Sequence, residues 1–195
     1  KGYKDEEMKT SGLIRFDEKY GASDQFWNRV MYPIVDTNNR VIGFGGRVMG
    51  DGKPKYINTQ ETPVFDKSRN LYGLNFAKKS KRPGIIFCEG YMDVISMHQA
   101  GFDNAVASLG TALTPGQVNL IKRYTDRVYL AYDSDEAGTK AALRALGIMR
   151  EFEMPARVIS LKPYKDPDEL IQAEGTESFE RRIEQAVSGT MFEIG

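Results

Sequence analysis

Four consecutive residues, Ile85-Ile86-Phe87-Cys88, carry no charged or amide side chain, and the run stops at a carboxylate, Glu89. An unbroken apolar run of this length, rich in β-branched and aromatic residues, fits a strand buried on both faces, as in a parallel sheet. Gly90 permits a sharp turn. Tyr91 to Gln99 can continue as a helix, with Gly101 as its stop signal. Ligands of an open parallel sheet gather beyond the carboxyl ends of its strands. Glu89 is therefore expected where chemistry happens, with Asp93 one helical turn later. Read alone, the stretch also suits a solvated Glu in a loop.

The residues that follow keep the same rhythm. Asn104 to Ala107 reads as a short strand. Thr114 can cap a helix that starts at Pro115 and runs to Tyr124. Arg127 to Tyr132 is a strand ending at Asp133-Ser134-Asp135, and Glu136 to Phe152 is an Ala-rich helix. Arg157 to Ile159 is a fourth strand, followed by Lys165-Asp166-Pro167-Asp168-Glu169 and helices over Leu170–Glu174 and Ser178–Val187. The alternation predicts an α/β fold, a parallel sheet with helices on both faces.

Upstream the pattern differs, giving α+β character overall. Val30 to Val35, the turn Asp36 to Arg40 and Val41 to Phe44 read as a hairpin. Gly43, Gly45 and Gly46 are expected to interrupt its second strand, and Lys55 to Asn58 is short and extended. Lys1 to Asp24 reads as loops with one short helix. The expected divisions are a smaller mixed, hairpin-containing basic subdomain over 1–83, the sheet domain over 84–164, and an acidic motif with C-terminal helices over 165–195.

Charge divides the chain at Pro83. Residues 1–83 hold 16 Lys or Arg against 10 Asp or Glu, and the remainder holds 11 against 17. A basic half beside an acidic half suggests a phosphate-binding surface next to a metal-binding one; uneven surface charge without a role is the plainer alternative. Aromatic rings are interleaved with the cations, as suits a surface that follows a phosphate backbone. Arg29, Arg47, Lys55 and Lys67 stand out because they lie on or beside expected strands and turns.

Three acidic groups follow three different strands: Glu89, then Asp133 with Asp135, then Asp166 with Asp168. Strand carboxyl ends of a parallel sheet share one edge, so these carboxylates can converge. Oxygen ligands without His or Cys favour magnesium or manganese over zinc, and such ions serve phosphoryl or nucleotidyl transfer. An Asp-x-Asp alone is weak, being common to phosphatases and sugar transferases, and Asp166–Glu169 alone would suit a helix N-terminus. The joint pattern is the stronger signal. The single Cys88 and single His98 cannot build a structural zinc site. Cys88 reads better as a small core residue than as a nucleophile, His98 better as a helix-face residue than as a ligand, and a reducing, cytoplasmic setting is expected. No apolar run approaches the roughly 20 residues needed to cross a bilayer. The chain begins at Lys1 rather than Met, as a piece of a longer protein would.

Glu89-Gly90-Tyr91-Met92-Asp93 and Asp133-Ser134-Asp135 resemble the acidic motifs of the toprim domain shared by primases, topoisomerases and some nucleases. Arg29–Ile34, Ile42–Arg47, Pro54–Asn58, Leu71–Leu74, Ala107–Thr111 and Asp166–Asp168 look like the bacterial DnaG-type DNA primase family. The resemblance covers about Asn28 to Glu174. It implies a catalytic core that makes RNA primers from ribonucleoside triphosphates on a single-stranded DNA template. It also implies a zinc-binding domain ahead of this region, a replicative helicase met through a domain absent here, and a monomer. By resemblance Glu89, Asp133 and Asp135 would be the catalytic, Mg2+- or Mn2+-holding residues for two or more ions, with Asp93, Asp166 and Asp168 as further candidates. Arg29, Arg47, Lys55, Tyr56, Asn58, Lys67 and Arg69 would hold nucleotide or template. The competing readings are a topoisomerase or nuclease toprim module, and a non-catalytic nucleic-acid-binding domain.

Overall fold

A computed structural model describes residues 2–194 and divides the chain into two compact units, residues 1–67 and 68–195.

In the first unit, helix α1 (Asp5–Thr10) leads into a hairpin of β1 (Ile14–Asp17) and β2 (Gly21–Asp24). The sequence reading expected only the helix and loops. The turn is built by Asp17, whose Oδ1 accepts from the amides of Lys19 and Tyr20 at 2.8 and 3.0 Å, before Gly21 takes a φ of +73°. A three-stranded antiparallel sheet follows, in the order β3 (Arg29–Val35), β4 (Val41–Val48), β5 (Tyr56–Asn58). Pro33 lies on the edge strand, where a missing amide costs least.

The glycines do not interrupt β4, which runs unbroken to Val48. They bring neighbours close instead. A Cβ on Gly46 would lie 2.7 Å from the Phe26 ring, and one on Gly43 would lie 3.3 Å from Thr59 and 3.4 Å from Phe65. Phe26, Ile34, Thr59 and Phe65 are buried there.

The second unit holds a five-stranded sheet in the order β10-β9-β8-β6-β7, comprising β6 (Ile85–Cys88), β7 (Ala105–Ala107), β8 (Val128–Leu130), β9 (Ala156–Val158) and β10 (Val187–Ser188). β7, β6, β8 and β9 are parallel neighbours, and β10 joins β9 antiparallel. Among the described residues this unit holds seven helices: α2 (Leu74–Ala77), α3 (Tyr91–Gln99), α4 (Pro115–Ile121), α5 (Glu136–Glu151), α6 (Pro167–Glu174), α7 (Thr176–Glu184) and α8 (Gly189–Ile194).

Strand alternation splits the core in two. Ile85, Phe87, Val128 and Leu130 pack with Val118 and Ile121 of α4 and with Ala142, Ala145, Leu146 and Met149 of α5. Ile86, Cys88 and Tyr129 pack with Val94 and Met97 of α3, Leu170 of α6 and Phe179 of α7. Cys88 is a buried core residue, as the sequence implied. Helix α4 starts where expected: Thr114 Oγ1 accepts from the Gln117 amide while Gln117 Oε1 accepts from the Thr114 amide. The last helix expected, Ser178–Val187, instead ends at Glu184, and the chain returns as β10 and α8. Among the described residues no helix is long and apolar enough to cross a membrane.

Residues 68–83 belong with the sheet unit, earlier than the boundary expected at Gly84. Leu71, Leu74 and Ala77 are buried in the core that contains Phe87. Gly73, at φ +82°, brings the backbone so close that a Cβ would lie 2.8 Å from the Ala105 carbonyl oxygen and from Val94. This redistributes charge: residues 1–67 hold 11 Lys or Arg against 10 Asp or Glu, while residues 68–83 hold five and none. The division at Pro83 is thus not a property of the first unit. Truncating Leu74 to Ala is expected to destabilise the sheet unit by about 2–5 kcal/mol in a urea melt; a loss below about 1 kcal/mol would detach residues 68–83 from its core.

Candidate functional site

The strand order reverses at β6. Chain leaving β6 through α3 returns on one side of it as β7, and β8 then pairs on the other side. α3 and α5, which follow β6 and β8, pack on opposite faces. Such a switch point opens a crevice beyond the strand ends. Glu89 directly follows β6, and Asp133 follows β8 by three residues.

The two are joined directly. The Asp133 amide donates to Glu89 Oε1 at 3.0 Å. Gly138 makes the approach possible, since a Cβ there would lie 2.1 Å from the Asp133 carbonyl oxygen and 2.7 Å from Glu89 Oε1. Asp135 caps α5, its Oδ1 accepting from the Gly138 amide at 2.8 Å. Asp93 folds back in the first turn of α3, where Oδ2 accepts from the Gly90 amide at 2.9 Å. Asp166 caps α6 by accepting from the Glu169 amide at 2.9 Å. The amide of Ser134 donates to the Lys165 carbonyl at 2.8 Å, tying the Asp133–Asp135 loop to the segment that carries Asp166.

The electrostatics record this crowding. Lost water raises the Glu89 carboxyl, and the charges of Asp133 and Asp135 raise it further against the opposing Asp133 amide. Asp133 is raised by lost water and by Asp166 and Asp135, with Lys165 opposing. Asp93 is pushed up to about 6, first by burial and then by Asp133, Asp166 and Glu89, against the stabilising Gly90 amide. Glu89, Asp93, Asp133, Asp135 and Asp166 therefore share one field. Asp168 stands apart: its Oδ2 accepts from Gln172 Nε2 at 2.8 Å along α6, and it is not among the leading charges felt at the other three.

Sequence reasoning missed Lys165 and Gly138. The Lys165 ammonium lies 3.3 Å from Asp133 Oδ2 and 4.0 Å from Asp166 Oδ2. Its adjacency to Asp166 was the available signal, and for Gly138 it was a glycine three residues after Asp135. Among the described residues no three His, Cys, Asp or Glu side chains already close into a metal cage. The donors fit a hard divalent cation in kind, being oxygens whose mutual repulsion a cation would relieve.

In the first unit, antiparallel register sorts the candidate nucleic-acid residues. Val30, Arg47 and Tyr56 form one cross-strand row, and Tyr32, Gly45 and Asn58 form another on the same face. Arg47 lies over the Tyr56 ring, its guanidinium carbon 5.7 Å from the centroid. Arg47, Lys53 and Lys55 line a shallow concavity with Val30 and Tyr32. Arg29 does not join them. It sits in the row of Val48, on the other face, and its guanidinium donates to the carbonyls of Pro54 at 2.9 Å, Gly46 at 3.3 Å and Lys55 at 3.4 Å. Lys67 closes the first unit, while Arg69 belongs to the second and packs against Gly116 at the start of α4.

Comparison with known proteins adds family to geometry. Residues 1–78 match the family described as DNA primase catalytic core, N-terminal domain, and residues 86–171 match the Toprim-like family. The chain is similar to a DNA primase of Clostridium acetobutylicum, 50% identical over 189 residues, covering 96% of this chain and 32% of that protein. It is likewise 43% identical over 187 residues to a DNA primase of Escherichia coli K12, covering 93% and 32%. Among solved structures it resembles the E. coli primase catalytic core with a TM-score of 0.90 and 41% identity, over 97% of this chain and 62% of that one. It also resembles a DnaG primase catalytic domain bound to ssDNA, with a TM-score of 0.89 and 40% identity, over 99% and 63%. The chain spans about a third of the curated relatives it matches.

The Asp93 shift carries a sign. Its folded pKa exceeds its ordinary 3.8, so the native state holds the proton more tightly and stability falls as pH rises from about 4 to about 6. Asp93→Asn keeps an acceptor for the Gly90 amide and removes the charge. Without divalent ions, the variant is expected to be more stable than wild type at pH 7 by about 1–3 kcal/mol, with the advantage vanishing near pH 4. Urea melts at the two pH values check this, and an advantage of equal size at both would exclude titration of Asp93 as its cause.

Proposed function

Because the chain belongs to the bacterial DNA primase family and spans part of its catalytic core, we propose that it carries the site at which RNA primers are made on single-stranded DNA. The observation that carries this reading is the junction of Glu89 and Asp133 across adjacent strand ends, with Asp93, Asp135 and Asp166 in the same field. The match of residues 1–78 to the primase core's N-terminal domain favours primase over a topoisomerase or nuclease carrying the same sheet.

In this reading Glu89, Asp133 and Asp135 hold divalent ions, Mg2+ or Mn2+, two or more in number. Bound there, such ions would neutralise the incoming ribonucleoside triphosphate and its pyrophosphate leaving group. Asp93 and Asp166 add negative charge around the ligands, and Asp168 is left to an outer role on α6. The Glu89 oxygen not used by the Asp133 amide is the one left to face a divalent ion. The Asp133 amide orients Glu89, and Gly138 keeps that contact close.

The sheet of the first unit is read as the template or nucleotide surface. Arg47 and Lys55 contact phosphates, Tyr56 offers a ring for stacking, and Asn58 and the flat strip at Gly45 lie beside them. Arg29 fixes the backbone that presents Lys55. Lys67 and Arg69 are further phosphate contacts.

Glu89→Gln in a family-length protein tests the chemistry. Gln retains an acceptor for the Asp133 amide, so folding should persist. Primer synthesis from ribonucleoside triphosphates on single-stranded DNA is expected to fall by at least about 10²–10³-fold, with template affinity nearly unchanged. Near-normal RNA yield would remove Glu89 from the mechanism. RNA-free cleavage or relaxation of duplex DNA by the wild type would replace the primase reading.

Arg47→Ala addresses the other unit. It should weaken single-stranded DNA binding and reduce the slope of log K against log salt by about 0.7. Unchanged affinity and slope would leave Arg47 as a partner of Tyr56 alone.

A further inference from the structure

We propose that Lys165 is a built-in counter-cation of the acidic edge that a divalent ion must displace, so that this one side chain sets the metal affinity of the site. The inference rests on the reading of Glu89, Asp133 and Asp135 as metal-holding residues.

Three observations support it. The ammonium stands 3.3 Å from Asp133 Oδ2 and 4.0 Å from Asp166 Oδ2, and among the described residues these two carboxylates have no other ion pair. An ammonium only donates, so it occupies the Asp133 oxygen that a hard cation would take. Second, the root of the residue is fixed. The Lys165 amide donates to Glu169 Oε2 at 2.6 Å, and its carbonyl accepts from Ser134 at 2.8 Å, within the loop that carries Asp133 and Asp135. Third, the head is not fixed, because the side chain is 64% exposed and can leave for solvent. A pinned backbone with a releasable ammonium suits exchange: the lysine shields the carboxylates when metal is absent and withdraws when metal enters.

The chemistry predicts the direction of the effect. Removing a unit positive charge at this range leaves Asp133 more attractive to a divalent ion. It also leaves the metal-free carboxylates less shielded from one another.

The test is a calorimetric Mn2+ titration of the intact chain at low ionic strength, comparing wild type, Lys165→Met and Lys165→Arg. Thermal melts with and without Mn2+ accompany it. Lys165→Met is expected to tighten the Mn2+ Kd about fivefold to tenfold, the scale of a unit charge at this distance in water. Its Tm should drop without metal and recover to the wild-type value when saturated. Lys165→Arg should stay within about twofold of wild type. An unchanged Kd in Lys165→Met, with wild type binding Mn2+, overturns the counter-cation while leaving the primase reading intact. Weaker Mn2+ binding in Lys165→Met also overturns it, since the lysine would then be supporting the site. A wild type that binds Mn2+ no better than Asp133→Asn overturns both.

Discussion

One hydrogen bond links the ends of the two strands on which the site depends. The Asp133 amide reaches Glu89 Oε1 across β8 and β6, and it does so only because residue 138 has no side chain. Two carboxylates brought so near repel one another, and Asp93, Asp135 and Asp166 add to that repulsion. The surrounding structure opposes it with backbone amides: that of Gly90 at Asp93, Gly138 at Asp135 and Glu169 at Asp166. Each acid is thus held by a short local turn or helix start, so its position follows from the path of the backbone after its strand. Charge that would be costly elsewhere is kept in place by donors that cannot move away.

Much of this was legible in the sequence because the signals were local. The run Ile85–Cys88 ending at Glu89 is a strand with its carboxylate at the tip, and Tyr91–Gln99 is the helix the residues announce. Thr114 with Pro115 marked the start of α4 through chemistry confined to one turn. What escaped was non-local. The strand β10 exists by pairing with β9, some thirty residues earlier, and carries no pattern in its two residues. Leu71 and Leu74 looked like part of a basic segment because charge dominates the composition around them, whereas their burial against the second unit's core decides where they belong. Lys165 escaped for a related reason: it touches Asp133 through space, and its adjacency to Asp166 is the one local sign of that contact.

The cations show the difference between counting charge and locating it. Arg29 lies in the basic stretch and on a strand, as Arg47 does, yet its guanidinium is spent on the carbonyls of Gly46, Pro54 and Lys55. Arg82 is likewise engaged by Glu180, the Gly101 carbonyl and the Phe102 ring. Arg47 keeps its place beside Tyr56 because an antiparallel ladder sets the two opposite each other. Register, which composition does not reveal, separates Arg29, which braces the backbone, from Arg47, which shares a face with aromatic rings.

The margins of the five-stranded sheet have a consequence of their own. β7, on one side, is only three residues long, and Ala107 exchanges both backbone hydrogen bonds with Tyr72, at 2.9 and 3.1 Å. On the other side the sheet ends in a two-residue antiparallel strand, after which the chain turns at once into α8. A bare, straight ladder is a template onto which a stray strand can add, the first step of fibrous aggregation. Here each margin offers such a strand only a few backbone groups. The sheet can therefore carry a strongly apolar centre without inviting copies of itself to polymerise along its rims.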